Sequence, residues 1–212
     1  MTTNNYYNAL LMCIDEENEL RSWMNAPFEA NNFACATEGH LMLIFDKELV
    51  EGQKLGVTPS HNVMKVIPQT MNKNFSIKIS LLEEAISKTP LIEEIIETET
   101  ECKECDGDGE IMCDYCGFEH TCENCKGEGM IYTSTPTGKM IPDGSSVILI
   151  GNSNFSVKML LKMVEIAKEL LQEEITLVYQ ETPFNVSVFK ISEATLLLMP
   201  VNTEKEPIFI IK

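Results

Sequence analysis

Three CxxC pairs lie close together in the middle of this 212-residue chain. They are Cys102–Cys105, Cys113–Cys116 and Cys122–Cys125, and the first and last are both followed by glycines in the pattern CxxCxGxG. Two cysteines at this spacing can ligate one zinc ion from a single tight turn, and a second such turn completes the tetrahedron. Glycine after each pair allows the positive φ that the turn requires. A single CxxC could be a redox motif, but three grouped pairs predict zinc.

The sequence leaves the pairing of these cysteines open. The two matching turns would bring the first and third pairs onto one ion, and the middle pair would then remain with His120 as a three-ligand set. The rival pairing joins the middle pair to the third. We expect one zinc ion, and a second ion is a further candidate. A second ion held by three ligands would have an open coordination position, which makes a zinc hydrolase a third function to consider, ranked lowest. The predicted metal ligands are Cys102, Cys105, Cys113, Cys116, His120, Cys122 and Cys125.

Residues 102–129 resemble the cysteine-rich region of DnaJ-type co-chaperones, which carries CxxCxGxG repeats and binds two zinc ions. That family has four repeats, whereas this chain has two complete repeats and a partial one. No His-Pro-Asp tripeptide occurs in the sequence, so the J-domain activity is not expected. The resemblance implies zinc binding and contact with protein. It makes a chaperone-like, peptide-binding module the alternative function.

Composition indicates an acidic protein with a true hydrophobic core. The formal net charge is −17, from 33 acidic and 16 basic residues, and 44% of residues are hydrophobic. Such a charge repels nucleic acid over most of the surface. The sequence has no run of 18 apolar residues and does not begin with a signal peptide pattern, so we expect a soluble, cytoplasmic protein without membrane contact. Cys13 and Cys35 stand alone in apolar surroundings and are predicted to be core residues.

Hydrophobic periodicity predicts a helix near 4–14 and a long, strongly apolar helix over 155–172. Residues 133–142 are predicted to be a linker, and the acidic run at 93–101 a solvated face or mobile segment. A helix is expected over 81–88 with Ser80 as its cap. The predicted strands cover 20–28, 33–45, 75–79, 147–150, 175–179, 184–191, 195–201 and 208–211.

Two blocks, residues 4–45 and 147–201, resemble the bacterial DNA polymerase sliding clamp. The first contains Ala36-Thr-Glu-Gly-His-Leu-Met-Leu43, where the family has Ala-Thr-Asp-Gly-His-Arg-Leu-Ala. The second contains the helix after Phe155 and a closing strand that ends in Met199-Pro200. The family's arginine is Leu41 here, and no lysine or arginine lies between Asn4 and Ile14.

The resemblance implies an α+β fold: a single clamp-like domain of two helix-plus-antiparallel-sheet halves, with a small zinc-binding subdomain inserted between them. We expect the first half and its elaboration at 1–100, the insertion at 101–132 and the second half at 133–212. The implied function is a non-enzymatic zinc-containing binding or scaffold protein with a protein partner, acting as a DNA replication accessory factor. DNA contact would require a homo-oligomeric ring, with Lys158, Lys162 and Lys168 facing the DNA.

Overall fold

The structure of the chain is a computed structural model that describes residues 3–113 and 115–212. These residues form two compact units. The larger unit comprises the described residues up to Pro90 together with Pro142–Lys212, and the smaller unit is Leu91–Ile141. The fold class predicted from the sequence, α+β with an insertion, is confirmed.

In the described residues, the larger unit is built from three α-helices packed on mostly antiparallel strands. The helices are α1 (Thr3–Leu11), α2 (Ile79–Ser87) and α3 (Val157–Glu169). The strands before the insertion are β1 (Phe28–Ala30), β2 (Phe33–Thr37), β3 (Leu41–Asp46) and β4 (Phe75–Lys78). In the smaller unit the strands are β5 (Leu91–Glu101), β6 (Glu110–Met112), β7 (Glu119–Thr121) and β8 (Met130–Pro142). The strands after it are β9 (Val147–Ile150), β10 (Ser153–Ser156), β11 (Glu174–Tyr179), β12 (Ser187–Ile191), β13 (Ala194–Leu198) and β14 (Phe209–Ile211).

One seven-stranded sheet joins the two halves of the larger unit. Its order is β1-β2-β3-β13-β12-β11-β4, and every pair in it is antiparallel. The junction is the β3–β13 pair, which sets Leu41 opposite Leu198 and Ile44 opposite Thr195. A second sheet has the order β10-β9-β14, with β14 parallel to β9.

Both faces of the large sheet carry buried apolar side chains, because five successive residues of β3, 41–45, are apolar and buried. In β3, Leu41, Leu43 and Phe45 pack into the main core, which also contains buried residues of all three helices. The alternate residues Met42 and Ile44 belong to a second cluster on the other face. Successive side chains of a strand point to opposite faces, so this continuous apolar run requires two covering layers.

Helix α3 lies in the main core because its apolar residues occupy most of its circumference. Leu160, Met163 and Ile166 are fully buried. Ser156 caps the helix by accepting a hydrogen bond from the Met159 amide at 3.4 Å, which satisfies one of the unpaired donors of the first turn. The helix is shorter than predicted, since Leu171 has a positive φ of 52° and ends the helical path.

Two sequence-based element predictions are wrong in an informative way. Most of the strand predicted over 20–28 is absent: Ser22–Met24 form a 3-10 helix, Leu20 is almost fully exposed, and the first strand begins at Phe28. The predicted linker at 133–142 belongs to β8. The acidic run at 93–101 is exposed, as expected of a solvated face, but it belongs to β5. These two strands pair with each other, a non-local match that neither segment shows by itself.

None of the helices in the described ranges 3–113 and 115–212 is long and apolar enough to cross a membrane.

The α3 core gives a direct test of the packing. Leu160→Ala should lower the free energy of unfolding by about 2–5 kcal/mol, because the side chain is fully buried and its loss leaves a cavity. The matched control is Leu20→Ala, which removes the same atoms from an exposed site and should change stability by about 0.5 kcal/mol or less. Urea denaturation followed by circular dichroism measures both. Equal losses in the two variants would contradict this placement of α3.

Candidate functional site

The smaller unit gathers its cysteines into two groups at different depths. The first and third CxxC pairs form one buried group of four, Cys102, Cys105, Cys122 and Cys125. The middle pair and His120 form a second group that is half-buried to exposed. In each group the sulfur and nitrogen atoms that could bind a metal lie within 4.8 Å of one another. Either group could therefore hold a metal ion.

The spacing of the four buried sulfurs suits tetrahedral coordination. The Cys102 and Cys122 sulfurs are 3.7 Å apart, and those of Cys105 and Cys125 are 3.6 Å apart. Four sulfurs about 2.3 Å from a central zinc ion would be about 3.8 Å apart. All four side chains are at most 7% exposed.

Two nearly identical turns build this group. After each cysteine pair comes a non-glycine residue in the left-handed region, Asp106 at φ 49° and Lys126 at φ 57°. The turns exchange backbone hydrogen bonds, since the Cys102 amide donates to the Gly129 carbonyl and the Cys122 amide to the Gly109 carbonyl, both at 2.8 Å. Each turn therefore supports the other, as the repeated sequence suggested.

Hydrogen bonds to sulfur stabilise the thiolate form that a metal requires. The amides of Gly109 and Gly129 donate to the Cys105 and Cys125 sulfurs at 3.2 and 3.3 Å. Burial acts to raise the pKa of Cys102, but donors that include the Glu104 and Cys105 amides outweigh it, so its pKa is lowered. Burial raises the pKa of Cys105, which also lies among the other three sulfurs. A cation would offset the repulsion of four thiolates in so small a volume.

The second group lies on the short β6–β7 hairpin. Cys116 Sγ is 3.7 Å from His120 Nε2, and His120 pairs across the hairpin with Ile111. The loop is closed by two backbone hydrogen bonds, from the Cys113 amide to the Phe118 carbonyl at 2.9 Å and from the Gly117 amide to the Cys113 carbonyl at 2.8 Å.

A long two-stranded ribbon, formed by β5 and β8, carries the β6–β7 hairpin and the two cysteine turns. Strands β5 and β8 run antiparallel: the Thr98 hydroxyl donates a hydrogen bond to the backbone carbonyl of residue 133, and the Thr100 hydroxyl donates to that of Ile131. Large apolar side chains of the ribbon, including Ile95 and Ile96, are more than half exposed. In the described part of this unit the buried side chains are the four cysteines, with Ile111 and Ile131 packed beside them.

The lysines predicted to face DNA lie on α3, in the larger unit. Lys158 is exposed. Lys162 forms an ion pair with Glu38, and Lys168 pairs with Glu83 at 2.6 Å. Two of the three charges are therefore already matched by carboxylates.

The larger unit also contains a broad groove that the sequence analysis missed. It has a volume of about 950 Å³ and lies on the face of the large sheet opposite the helices, where the second apolar cluster is found. Its lining combines apolar side chains with a few polar ones: Arg21, Trp23, Met24, Thr37, Gly39, His40, Leu41, Met42, His61, Asn62, Val63, Lys65, Val66, Ile67, Pro68, Tyr179, Phe184, Asn185, Val186, Leu197 and Met199.

The charge of this groove differs from that of the chain. Among the described residues that line it, none is an Asp or Glu, although the chain has 33 of them. Arg21 and Lys65 are its charged members. The sequence did contain a signal for this second face, because the apolar residues 41–45 of β3 and 196–198 of β13 are typical of strands that bury side chains on both faces.

The tight turn between β2 and β3 forms part of the groove wall. The Thr37 hydroxyl accepts a hydrogen bond from the Gly39 amide at 3.0 Å and donates to the Leu41 carbonyl at 2.7 Å. Gly39 has φ 98°, a conformation that favours glycine. His40 follows directly and lines the groove, and the Met199 amide donates to its carbonyl at 2.8 Å.

Comparison with known structures places the fold among the bacterial sliding clamps. The DNA polymerase sliding clamp from Pseudomonas aeruginosa, solved with a ligand, superimposes with a TM-score of 0.53 at 12% identity, and the Bacillus subtilis clamp with 0.52 at 11%. The Bartonella birtlesii clamp bound to griselimycin gives 0.50 at 12%. These alignments cover 95–96% of this chain but 64%, 62% and 65% of the respective clamps. The chain thus spans less than two thirds of their length.

No family model matches the sequence, and no curated protein matches it. At such low identity the structural likeness shows the fold alone. The resemblance to a clamp inferred from two short sequence blocks is thus supported at the level of fold.

Glycine 109 tests the geometry of the four-cysteine group. A Cβ at Gly109 would lie 2.4 Å from the Gly127 carbonyl oxygen, so Gly109→Ala should push the two turns apart and lower metal affinity by about tenfold or more. Gly138→Ala is the matched control, because that glycine also has a positive φ but meets nothing within 4 Å. Cobalt titration of both proteins, followed by thiolate-to-metal absorption, gives the comparison. An unchanged affinity in Gly109→Ala would contradict the mutual packing of the turns.

Thiol labelling tests the predicted core cysteines. Burial raises the pKa of Cys35 to about 12 and also raises that of Cys13, so both remain protonated at pH 8. With a chelator present, the six cysteines of the smaller unit should react with a disulfide reagent, whereas these two should react when the chain is denatured. Rapid labelling of all eight cysteines in the native protein would show that this part of the core is open.

Proposed function

We propose that this chain is a non-enzymatic, zinc-containing binding protein whose clamp-like body holds a segment of a protein partner in the groove. The groove is the observation that supports this proposal most directly, because it combines a volume of about 950 Å³ with many apolar lining residues and few charges. Such a shape suits a short extended peptide with apolar anchor residues.

The charge of the groove specifies the occupant further. Arg21 and Lys65 supply positive charge at its lining, with His40 and His61 as additional donors. The rest of the chain is strongly acidic and repels acidic partners. An apolar segment with an acidic residue is therefore the class of ligand that this groove favours over the surrounding surface.

The fold likeness supports a role as a DNA replication accessory factor, acting in the cytoplasm. In this proposal DNA is contacted by a homo-oligomeric ring, with Lys158, Lys162 and Lys168 on its inner wall. The pairing of two of these lysines with carboxylates, and the absence of lysine and arginine from α1, make protein binding the primary activity.

In the proposal, zinc occupies the buried four-cysteine group and has a structural role. Four thiolates in a tetrahedral arrangement prefer zinc among the common soft or borderline ions, although iron–sulfur chemistry uses the same donors. A closed set of four protein ligands leaves no position for substrate, which supports a non-enzymatic role. The CxxCxGxG turns support a DnaJ-type zinc segment.

A chaperone-like activity of the smaller unit is the second candidate. The observation that favours it is the set of exposed apolar side chains on the ribbon and the hairpin, which could contact an unfolded client. These side chains include Ile95, Ile96, Tyr132 and Phe118. Suppression of client aggregation that disappears with the metal would support this candidate over groove binding.

Peptide binding tests the groove. The probe is a fluorescent peptide with two leucines, a phenylalanine and a terminal aspartate. Val66→Glu should weaken its binding by at least about tenfold, since Val66 lines the groove and a carboxylate there would meet an apolar, acidic ligand. Fluorescence anisotropy measures the dissociation constant.

Val57→Glu is the matched control for this experiment. Val57 is exposed like Val66 but does not line the groove, so the same charge is added elsewhere and the affinity should hold. A second peptide with alanines in place of the apolar residues should not bind. Equal weakening by the two variants, or equal binding of the two peptides, would contradict the groove as the binding site.

A further inference from the structure

The second cysteine group differs from the first in depth and in ligand number. Among the described residues the group consists of Cys113, Cys116 and His120, with no fourth histidine, cysteine or carboxylate. Cys116 and His120 are exposed and Cys113 is half-buried, whereas the four cysteines of the first group are buried.

Backbone hydrogen bonds hold the described ligand residues of this hairpin close together. The two hydrogen bonds between Cys113 and residues 117 and 118 close it, and Gly117 adopts φ 69° to make the turn. The β6–β7 pairing holds His120 on the opposite side of the hairpin. Two sulfurs and an imidazole thus converge within 4.8 Å without any contribution from the first group.

Ligand number and exposure govern how a metal site behaves. A closed set of four buried thiolates holds zinc for structural purposes, whereas a set of two thiolates and one imidazole leaves a fourth position for water or an external ligand. An exposed ion with a water ligand can be reached by chelators and competing donors directly. The two groups should therefore differ in exchange as well as in affinity.

We propose that the β6–β7 hairpin binds a second, exchangeable zinc-class ion through Cys113, Cys116 and His120, with a fourth position open to an external imidazole or thiolate. This inference rests on the proposed function in one respect, that the first ion keeps the smaller unit folded. The surroundings suit docking of a partner that supplies the fourth ligand, since Tyr115, Phe118 and Met112 beside the site are 99%, 71% and 62% exposed. The second ion then acts as a loadable contact point.

Metal release from the zinc-loaded 212-residue protein tests the proposal. A chromogenic chelator should remove two zinc ions per chain in two phases, a fast one from the hairpin and a slow one from the buried group. Cys116→Ser and His120→Ala should each abolish the fast phase and leave the slow phase and the circular dichroism spectrum unchanged. The control Cys35→Ser alters a buried cysteine outside both groups and should retain two ions.

The open position is tested with cobalt in place of zinc. Imidazole at millimolar concentration should change the visible absorption of the fully loaded wild-type protein and should leave that of Cys116→Ser unchanged. Asp114→Asn should keep the fast-exchanging ion. If Asp114→Asn lost that ion as completely as His120→Ala does, the site would be a closed four-ligand one and the open position would be wrong.

The outcomes separate this inference from the proposed structural zinc. A wild-type chain that releases one slow ion alone would overturn the exchangeable site and leave the structural zinc intact. Release of both ions in a single phase would likewise overturn it. A chain without any slow ion would contradict the structural zinc, as would a Cys122→Ser variant that keeps it.

Discussion

The pairing of β3 with β13 is the constraint on which the larger unit depends. These strands lie about 150 residues apart in sequence, yet they are adjacent in the centre of the large sheet, with Leu43 opposite Leu196. Without this pair the first half would be a short three-stranded sheet under α1, and the second half would have an open edge. An unpaired central strand leaves its backbone donors and acceptors unsatisfied, which is costly in a buried setting. The main core and the groove both contain residues from the two halves that this pair joins.

A separate contact explains how the chain accommodates the inserted unit. Pro90 and Asp143 flank the insertion, and the Asp143 amide donates to the Pro90 carbonyl at 2.8 Å. The chain therefore leaves the larger unit and returns to it at neighbouring positions. For this reason the insertion costs little more conformational entropy than a longer surface loop would. The inserted residues have a small apolar core of their own, formed around the four cysteines. Burial in so small a core contributes little free energy, and a metal ion, which the four cysteines could hold, would add the stability that the core lacks.

Sequence patterns predicted much of this architecture, and the failures have physical causes. The apolar periodicity of α3 and the spacing of the metal-binding cysteines are local signals, so both could be recognised from residues close together in the sequence. The β5–β8 ribbon could not, because an acidic run such as Glu93–Glu101 resembles a solvated segment until its partner strand is known. Threonine, tyrosine and lysine side chains contribute cross-strand contacts, including the hydrogen bond from Tyr132 to Glu99 at 3.2 Å and the ion pair between Lys139 and Glu94. The groove was missed since its lining comes from distant loops and strands, although the two-sided apolar pattern of β3 pointed to a second buried face.

Charge links the two units to the proposed activities. In the proposed function, the 33 acidic residues of the chain contribute to specificity, because the groove lining described has no carboxylate and an acidic, apolar peptide would meet less repulsion there than at the surrounding surface. In the smaller unit the same acidity surrounds a set of thiolates, which favours cations and disfavours small anions. The two units thus use one property in opposite ways: the groove excludes negative charge from its lining, and the cysteine groups concentrate it. In the proposed function, selectivity at each site would come from the contrast between the site and the acidic surface around it.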